Sequence, residues 1–241
     1  MAVLGGVFSV LPTPFTTSGE IDPESLKRVI DLFIADGVSG FTALGVTSEV
    51  ARLTDHERDR VLDTVVTHVN GRVPVVAGTT AEGLRTCIDY TRRARDAGAS
   101  AVMISPPRAL KLNSDSVAKH YAEVASAVDT PLIVQDYPPI SGFSMEPSLL
   151  ARVARDVPSA RTIKLEDPPT PFKTSRILEQ AAGLDVKIFG GLGGVFLLEE
   201  LMAGAAGAMT GFAFPAILVK IVTLFRAGRI DEAADLFYRK V

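Results

Sequence analysis

Short apolar runs alternate along this chain with longer stretches in which apolar residues return every three to four positions. The short runs are Gly6–Leu11, Gly40–Gly45, Val73–Gly78, Ala101–Ser105, Leu132–Asp136, Thr162–Glu166, Val186–Gly190 and Gly207–Gly211. Their near-continuous apolar character suits strands covered on both faces, as the strands of a parallel sheet are. The intervening stretches predict helices, and several carry end signals. Asp22-Pro23 sets a capping carboxylate before a proline at the first helical position. Leu26, Val29, Ile30 and Phe33 form the inner stripe of that helix, and Gly37 follows its end. Thr54-Asp55-His56-Glu57 is a capping box ahead of a stripe of Val61, Leu62, Val65, Val66 and Val69. Asn113-Ser114 and Ser144 are expected to start the fourth and fifth helices in the same way.

Eight strands alternating with eight helices allow a closed barrel or a doubly wound sheet. A dinucleotide-binding sheet needs a Gly-x-Gly-x-x-Gly turn after an early strand, and Pro12-Thr13-Pro14-Phe15 follows the first strand instead. The count of eight and the length of 241 residues, against ~250 typical, predict one α/β TIM (β/α)₈ barrel. No linker or low-complexity segment interrupts the pattern. A ninth helix begins near Ile230, so the barrel is expected over residues 1–229, with 230–241 beyond it.

Composition narrows the function. An apolar share of 47% and a charged share of 22% are those of an ordinary globular protein. A formal net charge of −3 gives no basic footprint for nucleic acid and no polybasic signal for a membrane surface. Cys87 stands alone, which excludes a disulfide framework and a thiolate metal site. His56, His68 and His120 lie far apart in predicted helices without metal-ligand spacing, so surface or helix-flank roles are expected and no metal or other cofactor is invoked. The apolar start, Met1 to Val10, lacks a basic n-region, and no apolar run reaches the ~18 residues of a membrane span. The expectation is a cytoplasmic enzyme with a small-molecule substrate.

In such barrels the chemistry sits at the C-terminal ends of the strands and in the loops that follow. Those places hold Gly45-Val46-Thr47-Ser48-Glu49, Pro106-Pro107-Arg108, Gln135-Asp136-Tyr137-Pro138-Pro139, Ile163-Lys164-Leu165-Glu166-Asp167, Gly190-Gly191-Leu192-Gly193-Gly194 and Gly207-Ala208-Met209-Thr210-Gly211. Lys164 is distinctive because it lies within a strand. Side chains alternate, so Ile163 and Leu165 can face the helices while Lys164 and Glu166 face the barrel interior. Burial there lowers the pKa of an amine. Only the neutral amine attacks a carbonyl, and at the unperturbed value of ~10.4 roughly one lysine in 2,500 is neutral at pH 7. A structural Lys164–Glu166 ion pair without chemistry is the alternative. The glycines of the last two strand ends suit phosphate binding or simply tight turns. Neither cluster contains a lysine or arginine, so backbone N–H groups near Met209 would sooner hold a substrate carboxylate.

Taken in order, these segments resemble the dihydrodipicolinate synthase / N-acetylneuraminate lyase family of class I, Schiff-base-forming pyruvate lyases. Pro12-Thr13-Pro14-Phe15 matches the family's first strand end, and Gly45–Glu49 is similar to its Gly-Thr-Thr-Gly-Glu motif. Val75–Thr79, Ile163-Lys164 and Gly204–Thr210 fit its third, sixth and eighth strands. The resemblance covers nearly the whole chain and implies that Lys164 forms an imine with pyruvate or a longer 2-keto acid. It implies that Thr47 binds the keto-acid carboxylate and joins a proton relay, and that the backbone at Met209 contacts the bound acid. It further implies a homo-oligomer, a tetramer by analogy.

Several positions depart from the family. Its strand-five tyrosine falls at Gln135, which cannot relay a proton as a phenol does, and the following asparagine falls at Asp136. Tyr137, or Asp136, is expected to take over. Val46 replaces a threonine, Arg108 falls where a tyrosine reaches a neighbouring subunit, and Ile140 where synthases carry an arginine. The family also continues beyond residue 241 with a helical segment, so the chain reads as naturally short or truncated. These departures favour an aldolase or hydro-lyase for a 2-keto-3-deoxy sugar acid over dihydrodipicolinate synthase proper. The expected catalytic set is Lys164, Thr47, Tyr137 and Gln135; the expected substrate-binding set is Thr47, Ser48, Asp136, Gly191 and Met209. A catalytically silent keto-acid-binding barrel and a phosphate-binding sugar isomerase or aldolase are the readings from other classes.

Overall fold

Eight parallel strands close on themselves in chain order in the computed structural model, which describes residues 4–108 and 111–241. They are β1 (Gly6–Val10), β2 (Gly40–Ala43), β3 (Val75–Gly78), β4 (Ala101–Ile104), β5 (Leu132–Asp136), β6 (Thr162–Leu165), β7 (Lys187–Gly190) and β8 (Gly207–Thr210). β8 returns to β1 with Met209 beside Phe8, so no sheet edge remains. The fold is the expected TIM barrel. Five strands end one or two residues earlier than the apolar runs suggest, because the chain turns into the mouth loops there. At the end of β2, for example, Leu44 adopts a left-handed φ of 57°.

The period of two sorts the side chains into layers. Phe8, Val76, Ala101, Met103, Ile133, Phe189 and Met209 fill the barrel interior, with the Phe8 and Phe189 rings meeting edge to face at 5.5 Å. Val134, Ile163, Leu165 and Ile188 point the other way, into the apolar layer beneath the helices. The floor of the barrel is therefore mostly apolar, with Thr42 buried beside Val76, and the charged residues of the interior lie above it, at the C-terminal mouth.

The outer ring comprises α1 (Pro23–Ala35), α2 (Asp55–Val69), α3 (Leu84–Asp96), α4 (Ser114–Ala127), a single turn α5 (Pro138–Ser141), α6 (Pro147–Asp156), α7 (Thr170–Gln180), α8 (Leu197–Met202), α9 (Pro215–Arg226) and α10 (Ile230–Lys240). Asp22 caps α1 through the Ser25 N–H, Thr54 and Glu57 close a capping box on α2, and Asn113 caps α4. Ser144 does not start the next helix. Its hydroxyl is engaged by the Asp167 carboxylate, and α6 begins at Pro147. His56 and His68 lie on α2, where His68 meets Asp31 at 2.9 Å. His120, expected in a surface or helix-flank role, is buried on α4. Ala233 and Phe237 seat α10 against Leu218, Ile221 and Val222 of α9. Among the described residues no helix is long and apolar enough to cross a membrane.

Candidate active site

β6 delivers Lys164 to the barrel interior, beside Gln135 of β5 in the strand register. Lys164 is 3% exposed, and burial pushes its amine below the ordinary lysine value. The opposing influence is Glu166, whose Oε2 lies 3.3 Å from Nζ. Glu166 follows the last residue of β6 but still donates its N–H to the Asp136 carbonyl at 2.9 Å, so the pleat continues and its side chain shares the face of Lys164. The same Oε2 accepts from the Gln135 amide at 2.7 Å, and the Ser105 hydroxyl donates to Gln135 Oε1 at 2.9 Å. A chain of polar groups thus crosses from β4 through β5 to the amine on β6.

A cavity of about 170 Å³ opens above this chain, lined by Val46, Thr47, Tyr137, Lys164, Glu166, Leu192, Gly193, Thr210 and Gly211. It is well below the roughly 300–1,000 Å³ of drug-sized sites, a size that suits a small acid. Thr47 stands over Gly211 so closely that a Cβ there would lie 2.6 Å from its hydroxyl oxygen. Gly193 donates its N–H to the Thr210 hydroxyl at 2.9 Å. Among the described residues the backbone N–H groups of Thr47 and Gly211 have no protein acceptor. Among the residues lining the cavity, Lys164 is the basic side chain and Glu166 the acidic one.

Lys164, Thr47 and Tyr137 therefore share one cavity, and Gln135 lies directly behind Glu166. The other expected substrate contacts, Asp136, Ser48, Gly191 and Met209, are not among the residues that line the cavity. Asp136 is the residue after Gln135 on the pleat and faces outward, where its fully buried carboxylate holds Lys173 of α7 at 2.6 Å. Desolvation raises its pKa to about 6 despite the lysine. Ser48 is buried with its hydroxyl donating to the Leu11 carbonyl at 2.6 Å and accepting the Gly45 N–H. Gly191 gives its N–H to Leu165, and a Cβ there would lie 2.2 Å from Glu166 Cγ, so the glycine makes room for that side chain. The Met209 side chain packs in the apolar floor, and its backbone leads into Thr210 and Gly211, which bound the cavity.

Two groups have more to do than the sequence alone suggests. Glu166, on the face of Lys164 as the alternation predicts, meets Gln135 as well as the lysine. Lys173 was not singled out, although Thr170, Lys173, Thr174 and Ile177 repeat with the spacing of a buried stripe.

Fold and site define a (β/α)₈ enzyme scaffold with a buried amine, a carboxylate and an amide under a small mouth cavity. The chain belongs to the dihydrodipicolinate synthetase family, which it matches over residues 3–240. It is 36% identical over 231 residues to an L-2-keto-3-deoxyarabonate dehydratase of Azospirillum brasilense, covering 95% of this chain and 74% of that one. It is 34% identical over 236 residues to a 4-hydroxy-tetrahydrodipicolinate synthase of Thermus thermophilus, covering 97% and 78%. A crystal structure of dihydrodipicolinate synthase from Rhodopseudomonas palustris superposes with a TM-score of 0.90 at 33% identity, covering 97% of this chain and 79% of that one. The protein is an enzyme of this dihydrodipicolinate synthase-like lyase family.

Proposed function

We propose that this protein is a Schiff-base hydro-lyase for a 2-keto-3-deoxy sugar acid, with Lys164 as the nucleophile and Glu166 as the proton-transfer group. The observation that carries the reading is the placement of one carboxylate oxygen, Glu166 Oε2, 3.3 Å from the amine and 2.7 Å from the Gln135 amide. Where the family tyrosine is replaced by glutamine, a carboxylate stands at the reacting centre, oriented by that glutamine. The 36% identity to a dehydratase of this substrate class supports the same choice.

The steps follow from these groups. The neutral Lys164 amine attacks the C2 carbonyl of the keto acid, and the carbonyl oxygen leaves as water with one proton from the amine and one from solvent, forming an imine that is protonated on nitrogen. The backbone N–H groups of Thr47 and Gly211, with the Thr47 hydroxyl, receive the substrate carboxylate. Glu166 removes a proton from C3, and the C–H electron pair flows into the imine to give an enamine. The enamine expels the C4 hydroxyl, which takes the proton from Glu166 and departs as a second water. Hydrolysis of the conjugated imine frees Lys164 and an unsaturated 2-keto acid, so the net change is loss of one water. Tyr137, at the cavity wall, hydrogen-bonds the sugar hydroxyls.

Borohydride reduction in the presence of pyruvate tests the nucleophile. The intact protein should gain the mass of one reduced pyruvate adduct, and Lys164→Ala should gain none. An adduct that persists in Lys164→Ala would refute the assignment. A stable adduct with no turnover of any 2-keto-3-deoxy acid would point to the catalytically silent barrel.

A further inference from the structure

We propose that Lys173, which lies outside the cavity, positions Gln135 and Glu166 for proton transfer by fastening the ends of β5 and β6 to α7; this rests on the proton-transfer role of Glu166 given above. Its amine bridges two carboxylates, at 2.6 Å from Asp136 Oδ2 and 2.7 Å from Asp167 Oδ2. Asp136 directly follows Gln135, and Asp167 directly follows Glu166. On each strand end one side chain therefore points in, to the polar chain at Lys164, while the next is gripped from outside by a single cation. The remaining oxygen of Asp136 accepts the Met145 N–H at 3.3 Å, and Asp167 also takes the Ser144 hydroxyl, which ties in the segment before α6. From α4 the neutral Tyr121 phenol faces the same region and is bonded to the Ile104 carbonyl at 2.9 Å.

Stability alone is a poor reason for this arrangement. Lys173 occupies a buried position on the inner stripe of α7, where an apolar side chain would pack without desolvating three charges. What the cluster adds is a fixed spacing between two strand ends. The inward bond from Gln135 to Glu166, 2.7 Å long, spans those same strands. Misplacing a proton-transfer group by about 1 Å can lower a rate by about 100-fold, so the outer grip and the inner geometry are coupled.

The test compares the whole protein with K173M and with the double variant K173M/D136N, which removes the buried pair together and leaves no unpaired lysine or Asp136 charge. Each is assayed for fold by circular dichroism, for imine by borohydride trapping with pyruvate, and for exchange of the pyruvate C3 protons with deuterated water by NMR. Both variants should fold and trap imine to the wild-type extent, while exchange per trapped imine falls by about 10- to 100-fold. A merely structural residue would not move that ratio. Wild-type exchange in either folded variant overturns the proposal, as does loss of imine in the variants alone, which would place the effect on Lys164. Loss of fold in both variants also overturns it, because the cluster would then be a stability element. Failure of the wild-type protein to form imine would instead sink the lyase reading, and the positioning role with it.

Discussion

Glu166→Gln should push the two halves of the reaction in opposite directions. In the native site one oxygen of Glu166 receives the Gln135 amide at 2.7 Å and lies 3.3 Å from the Lys164 amine. A glutamine has nearly the same shape, and its own oxygen can keep the bond from Gln135, so the local geometry should survive. The negative charge and the ability to carry a proton are lost. General acid–base catalysis by a positioned side chain contributes about 10²- to 10⁴-fold, or about 3–5 kcal/mol of barrier. Dehydration of a 2-keto-3-deoxy acid should slow by that factor. Imine formation should respond the other way. The Glu166 carboxylate opposes the lowering of the Lys164 pKa by burial, so its removal lowers that pKa further and makes more of the amine neutral. The acid limb of the trapping rate with pyruvate should therefore move to lower pH. Trapping kinetics across the acid and neutral range, together with single-turnover dehydration, read both effects. Unchanged dehydration, or a trapping limb that moves to higher pH, would refute the role given to Glu166.

Gly191→Ala would place a Cβ 2.2 Å from Glu166 Cγ, so the carboxylate must leave its position. Dehydration should fall by about 100-fold while imine trapping persists, and equal loss of both would contradict this. Glu200 is buried on α8, bonded through one oxygen to the Thr170 hydroxyl at 2.5 Å, and its pKa rises from 4.5 to about 7 by desolvation. Between those values the folded protein holds a proton that the unfolded chain has released, so stability falls with rising pH, by about 3 kcal/mol over the window. Glu200→Gln should flatten that slope in urea titrations at a series of pH values; an unchanged slope would count against the protonated form. Thr54→Ala removes the hydroxyl of the capping box on α2 and should cost about 1 kcal/mol, or about 2–4 °C in melting temperature, with activity retained. A wild-type melting curve would show that the box adds nothing.

The barrel was legible because its signals are local. Apolar runs of strand length, helix caps at Asp22, Thr54 and Asn113, and a lysine flanked by apolar residues at alternate positions each depend on a few neighbouring residues. The site was legible only as far as the same alternation was followed. Applied to β6, it set Lys164 and Glu166 on one face; applied to β5, it sets Gln135 inward and Asp136 outward, so Asp136 cannot replace a lost tyrosine. Motif matching placed both residues in the site because it takes no account of the pleat. Gly191 and Lys173 were harder for a different reason. A glycine in a glycine-rich turn reads as a turn former, and the side chain that requires its bareness, Glu166, lies 25 residues earlier on another strand. A lysine on a helix reads as solvated until two aspartates from separate strand ends are brought to it. The exchange of a phenol for Gln135 is likewise uninformative when taken alone, since an amide in place of an acid suggests lost activity. Bonded to Glu166, it has a use in the proposed reaction: it donates to the carboxylate it faces, which lies 3.3 Å from the Lys164 amine and would carry the proton in place of the phenol.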